Sequence, residues 1–444
     1  LLMRTLLACC ISYFLLTSTS AQSYKDTVFT NYFKRDAPGW VASDGSLSIP
    51  LPDGRTMWLM GDSHVDQALD DNGEIPCLFN TRNCVLVQDA EDRSKITTFY
   101  DETGGDGYEK QFVKMPGDDR ATYWPASGTV IGDTAYTFWT RYAFDPDEVW
   151  NLRLTGTVIA KIKLPKIELV DVSPIQYPEV EYGQSVVWDE EDQYYYIYGK
   201  HLDWIVFKPI LARCRMDELL GDWEFYLGNN QWGSEPSNFA VAPEVTAEYS
   251  VFRLNGRYHM FYQQNGYLQC GEGRDMYIYS AEEPWGPFSD SVKVYTMNDQ
   301  FDGAYPKTYN AQAHPQFIEN DELLIGYNLN NLCPSVCEND PFGDRYNPDL
   351  YRPQFARVPL SLFLTTDNSE LSEMSLRVAP NPSRGVFKLK GADQLRYQVW
   401  NSTGSLVHSG YGAEIDLSNQ SNGFYMARVL GSSGQTALFR LVKY

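Results

Sequence analysis

Histidine is scarce in this chain, with five in 444 residues, and cysteine little less so, with eight. No CxxC pair and no HExxH occurs, so a zinc site has no ligand spacing to rest on. GxSxG and P-loop patterns are also absent. Basic residues are few: 36 Lys and Arg stand against 58 Asp and Glu, for a net charge of −22. Phosphate backbones are held by a basic face, so nucleic acid is excluded as a main partner. Only one long apolar run exists, Leu6 to Leu16, and it is shorter than the roughly 20 residues a spanning helix needs.

What the chain has instead is aromatic and turn-forming. Aromatics make up 14%, with 31 Tyr and 11 Trp. Gly and Pro recur as short punctuation, the pattern of many short strands. Helical periodicity is nearly missing, and the fold class expected is all-β.

Residues 1–22 carry one Arg, the apolar run, and Thr-Ser-Thr-Ser-Ala, with Thr19 and Ala21 in small-residue cleavage positions. This is the pattern of a secretory signal peptide rather than a membrane anchor, and the mature protein is expected to be soluble. Cys9 and Cys10 lie inside the run and leave with it. The remaining six, Cys77, Cys84, Cys214, Cys270, Cys333 and Cys337, are an even number in an exported chain, which points to disulfides. Close spacing favours Cys77–Cys84 and Cys333–Cys337, leaving Cys214–Cys270.

Three segments follow the signal. The body runs over 24–362, a polar linker over 363–374 that includes Thr365-Thr366-Asp367-Asn368-Ser369-Glu370, and a tail of alternating strand-like runs over 375–444. The tail reads as a small β-sandwich. In the body one grammar recurs: a polar opening, a strand, a tight turn and an aromatic-rich strand. Its openings fall near 44, 127, 184, 248 and 314, with turns such as Asp53-Gly54 and Asn255-Gly256. Steps of that length suit four-stranded propeller blades, and five of them make a five-bladed β-propeller. A β-sandwich with insertions is the competing architecture.

In a propeller the first strand of each blade lines the central channel. Two-residue turns then set which residues face each other. That arithmetic puts Asp62 opposite Gly45 and beside Asp44, Glu248 opposite Gln263, and His314 opposite Tyr327. Asp44, Ser127, Gln184, Glu248 and His314 are expected to begin their inner strands and ring one mouth. Paired carboxyl groups are what glycosidic cleavage uses: one protonates the leaving oxygen, and another activates water or attacks. Flat aromatic faces hold sugar rings, and Trp40, Tyr123, Trp124 and Trp204 lie near the openings. The candidate catalytic residues are Asp44, Glu248 and Asp62. Gln184, Glu244 and His314 join the aromatics as candidate substrate contacts. Plainer readings stand beside these. Asp44 suits a turn, Asp62 a loop cap and Glu248 a backbone partner; Glu244 is a rival acid, and His314 suits a hydrogen-bonded hub residue. The Tyr194-Tyr195-Tyr196 run reads as blade packing and Asp189-Glu190-Glu191-Asp192 as a solvated turn.

Two resemblances extend this. Val378-Ala379-Pro380-Asn381-Pro382, Val399 to Val407, Ile415-Asp416-Leu417-Ser418, Gly423-Phe424-Tyr425 and the terminal Phe439-Arg440-Leu441-Val442-Lys443 resemble the C-terminal sorting domain of type IX secretion cargo. That implies Sec export, handling by the type IX machinery, and release or attachment at the cell surface. The body is similar to the five-bladed glycoside hydrolases that include family 43, through Glu248-Tyr249-Ser250-Val251-Phe252 and the hairpin to Tyr262. A closer likeness, through Asp44-Gly45-Ser46 and Leu51-Pro52-Asp53-Gly54-Arg55-Thr56, is to uncharacterised secreted propeller families. The resemblance implies Glu248 as acid, Asp44 as base, and His314 near a calcium ion or water at the hub. That family places a third carboxylate at the third-blade opening. Here Tyr182-Gly183-Gln184 carries none, and Asp62 is the expected substitute. The function expected is a secreted, monomeric glycoside hydrolase, inverting, acting on a polysaccharide. A non-catalytic carbohydrate-binding propeller and an adhesion or scaffold protein are the alternatives.

Overall fold

A computed structural model describes residues 22–36, 38–66, 69–102, 110–148, 151–177, 180–204, 206–266, 271–330, 344–364, 377–390, 395–402, 405–430 and 436–444. Most of the expected signal peptide (1–22) and of the expected linker (363–374), with Cys270, Cys333 and Cys337, lie outside these.

The described residues of the body fold into five antiparallel sheets of four or five strands, with one two-stranded sheet pairing Ile75–Pro76 with Arg345–Tyr346. Their inner strands are Trp40–Pro50, Thr122–Ile131, Glu181–Asp189, Tyr249–Leu254 and Lys307–Glu319. Each inner strand touches the next, and the fifth returns to the first, so the sheets close a ring. This is a five-bladed propeller. The fifth blade is completed by the start of the chain: Tyr24 and Lys25 pair with Arg357 and Ala356. Asp26 then caps the short helix Thr27–Tyr32 by accepting from the Phe29 amide, and it meets Arg357 at 2.8 Å.

Burial on both faces of each blade follows from strand alternation. In the third blade, Tyr195 and Ile197 pack with Phe138 and Ile159 of the second. Their neighbours Tyr196 and Tyr198 point the other way, to Tyr249 and Met260 of the fourth. Separate cores of this kind fill all five gaps between blades. Polar side chains also cross the gaps near the axis. The Ser185 hydroxyl donates to the Val251 carbonyl at 2.8 Å and accepts from the Val251 amide at 2.9 Å. Ser250 accepts from the Ala313 amide at 2.8 Å, and the Asn328 side chain donates to the Ser43 carbonyl at 3.3 Å.

The inner strands are not simple hairpin partners. Four carry an irregularity towards the mouth, between Ser43 and Gly45, Pro125 and Gly128, Tyr182 and Ser185, and Tyr309 and Gln312. Only the fourth blade pairs regularly, from Tyr249 opposite Tyr262 to Leu254 opposite Arg257. Counting from the two-residue turn therefore holds within the fourth blade, where Glu248 lies just before the paired residues, and fails in the first and fifth. His314 pairs with Leu324, not Tyr327, because the register shifts between His314 and Glu319. The first-blade turn spans Leu51 to Arg55, closed by the Leu51 amide on the Arg55 carbonyl at 2.9 Å, so Pro50 faces Thr56. Asp44, Ser127, Gln184 and His314 lie within their strands rather than at the start.

The tail forms a three-stranded sheet, Arg377–Ala379, Val386–Lys390 and Glu414–Asp416, and a four-stranded one. The second contains Leu406–Tyr411, Arg396–Asn401, Gly423–Leu430 and Thr436–Lys443. Phe387, Leu389, Val399, Ile415, Ala427 and Leu441 close its core.

The cysteines depart from the expected pairing. Cys84 and Cys214 are buried free thiols, each pushed up to about 12 by burial. Cys77–Cys84 and Cys214–Cys270 are therefore not formed: Cys84 faces Met60 across a blade, and Cys214 faces Tyr195. Cys77 is disulfide-bonded.

Candidate active site at the propeller mouth

The first-blade irregularity builds one half of the site. Ser43 faces Ser63 and Gly45 faces Met60, so Asp44 is opposed by two residues, Gly61 and Asp62. Gly45 and Ser46 take left-handed backbone, φ 95° and 63°, to make this turn. Gly61 has no side chain because a Cβ there would lie 2.2 Å from Asp44 Oδ1. Asp44 and Asp62 thus form a close carboxyl pair at the mouth end of the channel.

Their surroundings differ. Asp44 is half-buried and accepts from Tyr309 at 3.1 Å and from Tyr351. Asp62 meets Arg82 at 3.4 Å and accepts from Trp124. Burial raises the Asp44 carboxyl to about 8, helped by the charges of Asp62 and Glu248 and opposed by its tyrosine donors. Burial also raises Asp62 to about 6, against the pull of Arg82 and Trp124. The charge of Asp62 adds to the rise at Asp44, so ionisation of one carboxyl hinders ionisation of the other. Part of Asp44 faces solvent, which screens its shift.

The other half comes from the third and fourth blades. Glu248 stands just before the inner strand Tyr249–Leu254. Lys200 Nζ lies 3.9 Å from Glu248 and 3.3 Å from Glu181, and it donates to the Ala247 carbonyl at 2.7 Å. The Tyr142 hydroxyl donates to Glu181 at 3.4 Å. Burial raises Glu248 above the ordinary carboxyl range, Lys200 opposes the rise, and Glu181 adds to it. Its charge is felt at Asp44 across the channel. Glu181 corrects the sequence reading that the third-blade opening has no carboxylate. The strand begins one residue before Tyr182, with Glu181 opposite Lys200, and the irregularity follows between Tyr182 and Ser185.

The remaining candidates divide. Trp124 is at the mouth, its ring 4.6 Å from Tyr142. Trp40 is not: it is wholly buried, donates to the Ser43 hydroxyl at 2.9 Å and packs on Phe33. Tyr123 is likewise buried, with its hydroxyl on Asp118. Gln184 is buried in its strand. Trp204 and Glu244 lie on the rim between the third and fourth blades and meet the tail: the Trp204 indole donates to the Ser402 carbonyl at 3.3 Å, and Glu244 stands 4.0 Å from Arg428. His314 lies in the wall of the channel, not at the mouth. Its Nδ1 is 2.6 Å from the Ser48 hydroxyl, and Trp58 and Phe355 pack on the ring. Burial lowers it to about 3. These surroundings do not fit a calcium ion, which needs several converging oxygens. Among the described residues no three His, Cys, Asp or Glu side chains come together as a metal group. Tyr309, Tyr351, Arg82, Lys200 and Tyr142 escaped sequence reasoning, since none sits in a distinctive motif. A depression of about 490 Å³ lined by Pro380, Ser383 and Tyr444 belongs to the tail and includes no mouth carboxyl.

A closed ring of five blades with carboxyl groups at its mouth, followed by a small two-sheet tail, defines an exported propeller carrying a sorting domain. Residues 26–372 match the family model "Domain of unknown function (DUF5005)", and residues 377–443 match the "Secretion system C-terminal sorting domain". The chain belongs to the DUF5005 family, and its tail marks it as type IX cargo, delivered to the cell surface or beyond. No curated protein matches. Among solved structures, an inferred hydrolase from Bacteroides ovatus is 23% identical, with a TM-score of 0.62 over 77% of this chain and 93% of that one. The likeness shows the propeller fold. A glycoside hydrolase family 43 β-xylosidase/α-arabinofuranosidase from a compost metagenome is 13% identical, with a TM-score of 0.41 over 76% and 94%. A family 43 enzyme from Xanthomonas citri is 14% identical, with a TM-score of 0.42 over 74% and 93%.

Proposed function

We propose that the protein is a glycoside hydrolase that cleaves a polysaccharide or oligosaccharide at the propeller mouth. The observation that carries this reading is the electrostatic reach of Glu248 to Asp44, with the carboxyls of Glu248, Asp44 and Asp62 all raised by burial. An acid with a raised pKa can protonate a glycosidic oxygen near neutral pH. Across the channel Asp44, once ionised, takes a proton from water as the water attacks the anomeric carbon. The glycosidic C–O bond breaks, its oxygen leaves with the proton from Glu248, and water's oxygen forms the new bond; this is the inverting course. Arg82 favours the ionised form of Asp62, whose charge in turn adds to the rise at Asp44. Glu181 supplies the third carboxylate, on the third blade, that Asp62 was expected to replace. Trp124 and Tyr142 offer aromatic faces for a sugar ring.

The test is kinetics of Glu248→Gln and Asp44→Asn on a panel of plant, algal and bacterial glycans, with melting curves as control. Each change is nearly isosteric. Loss of the acid or the base is expected to cost about 10²–10⁴-fold. A substrate with an activated leaving group should suffer less in Glu248→Gln and equally in Asp44→Asn. A folded variant as active as wild type removes that residue from the mechanism. Glycan binding without cleavage by the wild type would establish the non-catalytic propeller instead.

A further inference from the structure

Residues 344–352 lie between two strands of the fifth blade, Glu322–Asn330 and Gln354–Pro359, yet the first blade holds them at both ends. At the near end the Cys77 amide donates to the Asp344 carbonyl at 3.0 Å, and Arg345 and Tyr346 pair with Pro76 and Ile75. Arg345 also forms an ion pair with Asp70 at 2.9 Å and donates to the Glu74 carbonyl at 3.1 Å. At the far end the buried Arg352 donates to the Val41 carbonyl at 2.8 Å and meets Asp349 at 3.1 Å. Between these anchors Tyr346 and Tyr351 pack with Val41, Ala42 and Ile75. Tyr351 is 8% exposed, and its hydroxyl donates to Asp44. Tyr309 reaches the same carboxyl at 3.1 Å from the inner strand of the fifth blade. Asp44 therefore has two hydroxyl donors from two separate elements.

We propose that Tyr351 is a positioning residue for Asp44, and that the clamp of residues 344–352 on the first blade is what holds its hydroxyl there. A hydroxyl donor strengthens its bond when the carboxyl it meets is ionised, so it favours the charged form as well as fixing the carboxyl's direction. That form is the one a base needs. The other titratable groups around Asp44 are Asp62 from the first blade, Glu248 from the fourth, Tyr309 from the fifth and Tyr346 from the clamped segment. The two carboxylates oppose its ionisation, and Tyr309 favours it. His64 meets the far side of Tyr351 edge-on at 5.9 Å. Burial and the Arg345 charge lower it to about 3, so it stays neutral and adds no charge near neutral pH.

The catalytic meaning of this placement rests on the proposed hydrolase reading, but the placement itself is measurable without turnover. Asp44 is raised in the folded protein, so it binds its proton more tightly there than in the unfolded chain. Its stability contribution is complete below the ordinary carboxyl value and is lost as pH rises through the folded value. In the full chain, melting temperature against pH for wild type minus that for Asp44→Asn shows where this loss falls. Tyr351→Phe keeps the ring and removes the donor. The same difference, taken between Tyr351→Phe and its double variant with Asp44→Asn, should have its upper edge about one unit higher in pH. Arg352→Met loosens the clamp and should move the edge in the same direction. In the Tyr351→Phe background Arg352→Met should move it no further, because the two changes act through one hydroxyl.

An edge unmoved by Tyr351→Phe, or moved to lower pH, overturns the proposal. An Arg352→Met shift that persists at full size in the Tyr351→Phe background reports lost charge rather than lost placement, and overturns the clamp. If Arg352→Met does not fold, Arg345→Met at the other anchor takes its place in the same comparison. If the edge moves as expected but Asp44→Asn cleaves glycans as fast as wild type, the placement stands and the assignment of Asp44 as base falls. If both hold, the acidic limb of kcat/KM in Tyr351→Phe should move to higher pH with the edge, a change that loss of packing alone would not produce.

Discussion

Adding one methyl group at Gly61 should separate the position of Asp44 from its identity. The new Cβ would sit 2.2 Å from Asp44 Oδ1, while its next neighbours, Asp44 Cγ at 3.4 Å and Pro125 Cδ at 3.7 Å, are at ordinary contact. The backbone of Gly61 is not left-handed, so alanine fits it without strain. Only the carboxyl tip has to yield, and it must retreat by about 1.2 Å to reach normal separation. Asp44 then loses its alignment with Tyr309, worth about 1 kcal/mol, which in a body of this size lowers the melting temperature by about 2 °C. A misplacement of about 1 Å in a reacting group costs on the order of 10²-fold in rate. Gly61→Ala should therefore melt nearly as wild type does and hydrolyse about a hundredfold more slowly. Gly221→Ala, whose Cβ would meet nothing closer than 3.5 Å, is the control and should match wild type in both respects. The assay is kcat/KM on any glycan the wild type cleaves, with a thermal melt of each protein. A folded Gly61→Ala within about threefold of wild-type activity would refute the idea that Asp44 must stand where it does.

Other consequences are simpler to check. Arg82→Met removes the charge and hydrogen bond that oppose the rise of Asp62, so the acidic limb of kcat/KM should move to higher pH by roughly one unit; an unmoved limb would separate Asp62 from the reaction. Thiol titration should find at least two reactive groups in denaturant that are silent in the native protein, Cys84 and Cys214, and native labelling of either would contradict their burial. Ser185→Ala should destabilise the propeller by about 1–3 kcal/mol, because it strips the partner from a buried Val251 amide between two blades; a denaturant melt measures it. Arg428→Glu turns the attraction to Glu244 into repulsion and should raise hydrogen exchange at the rim near Asn265, whose carbonyl Arg428 contacts at 3.4 Å, without unfolding the body.

Much of the architecture was legible in the chain before any coordinates. The turn Asn255-Gly256 set the register of the fourth blade, and the pairing of Tyr249 with Tyr262 agrees with it. Runs such as Tyr194 to Tyr198 read as blade packing, and their alternate members do fill the gaps on either side of one sheet. The tail was recognisable from its own short motifs, because a small sandwich repeats its strand and turn chemistry locally. Asp44, Asp62 and Glu248 were also named in advance, since carboxyls at blade openings are visible as residue type and position.

Tertiary structure decided the rest, and the reason is that hairpin counting sees only regular pairing. An irregularity between Tyr182 and Ser185 shifts the third-blade register; Gln184 lies within it and is buried, while Glu181 meets Lys200. Trp40 and Trp124 are the same residue near equivalent openings, yet one is core and the other bonds Asp62. Nothing local distinguishes them, because exposure depends on which neighbouring blade closes over each ring. Cysteine spacing misled for the same cause: Cys77 and Cys84 are close in sequence, but the blade places Cys84 inside a sheet, facing Met60. Lys200 in Gly199-Lys200-His201 carries no motif at all. Its meaning comes from a sheet neighbour 19 residues earlier and a carboxyl 48 residues later, brought within reach only when the third and fourth blades pack. The sequence by itself determined an exported propeller with acids at its openings, because turn chemistry and alternation are local. Which of those acids holds a proton was left to the ring, because charge and burial are set by groups that meet only when it closes.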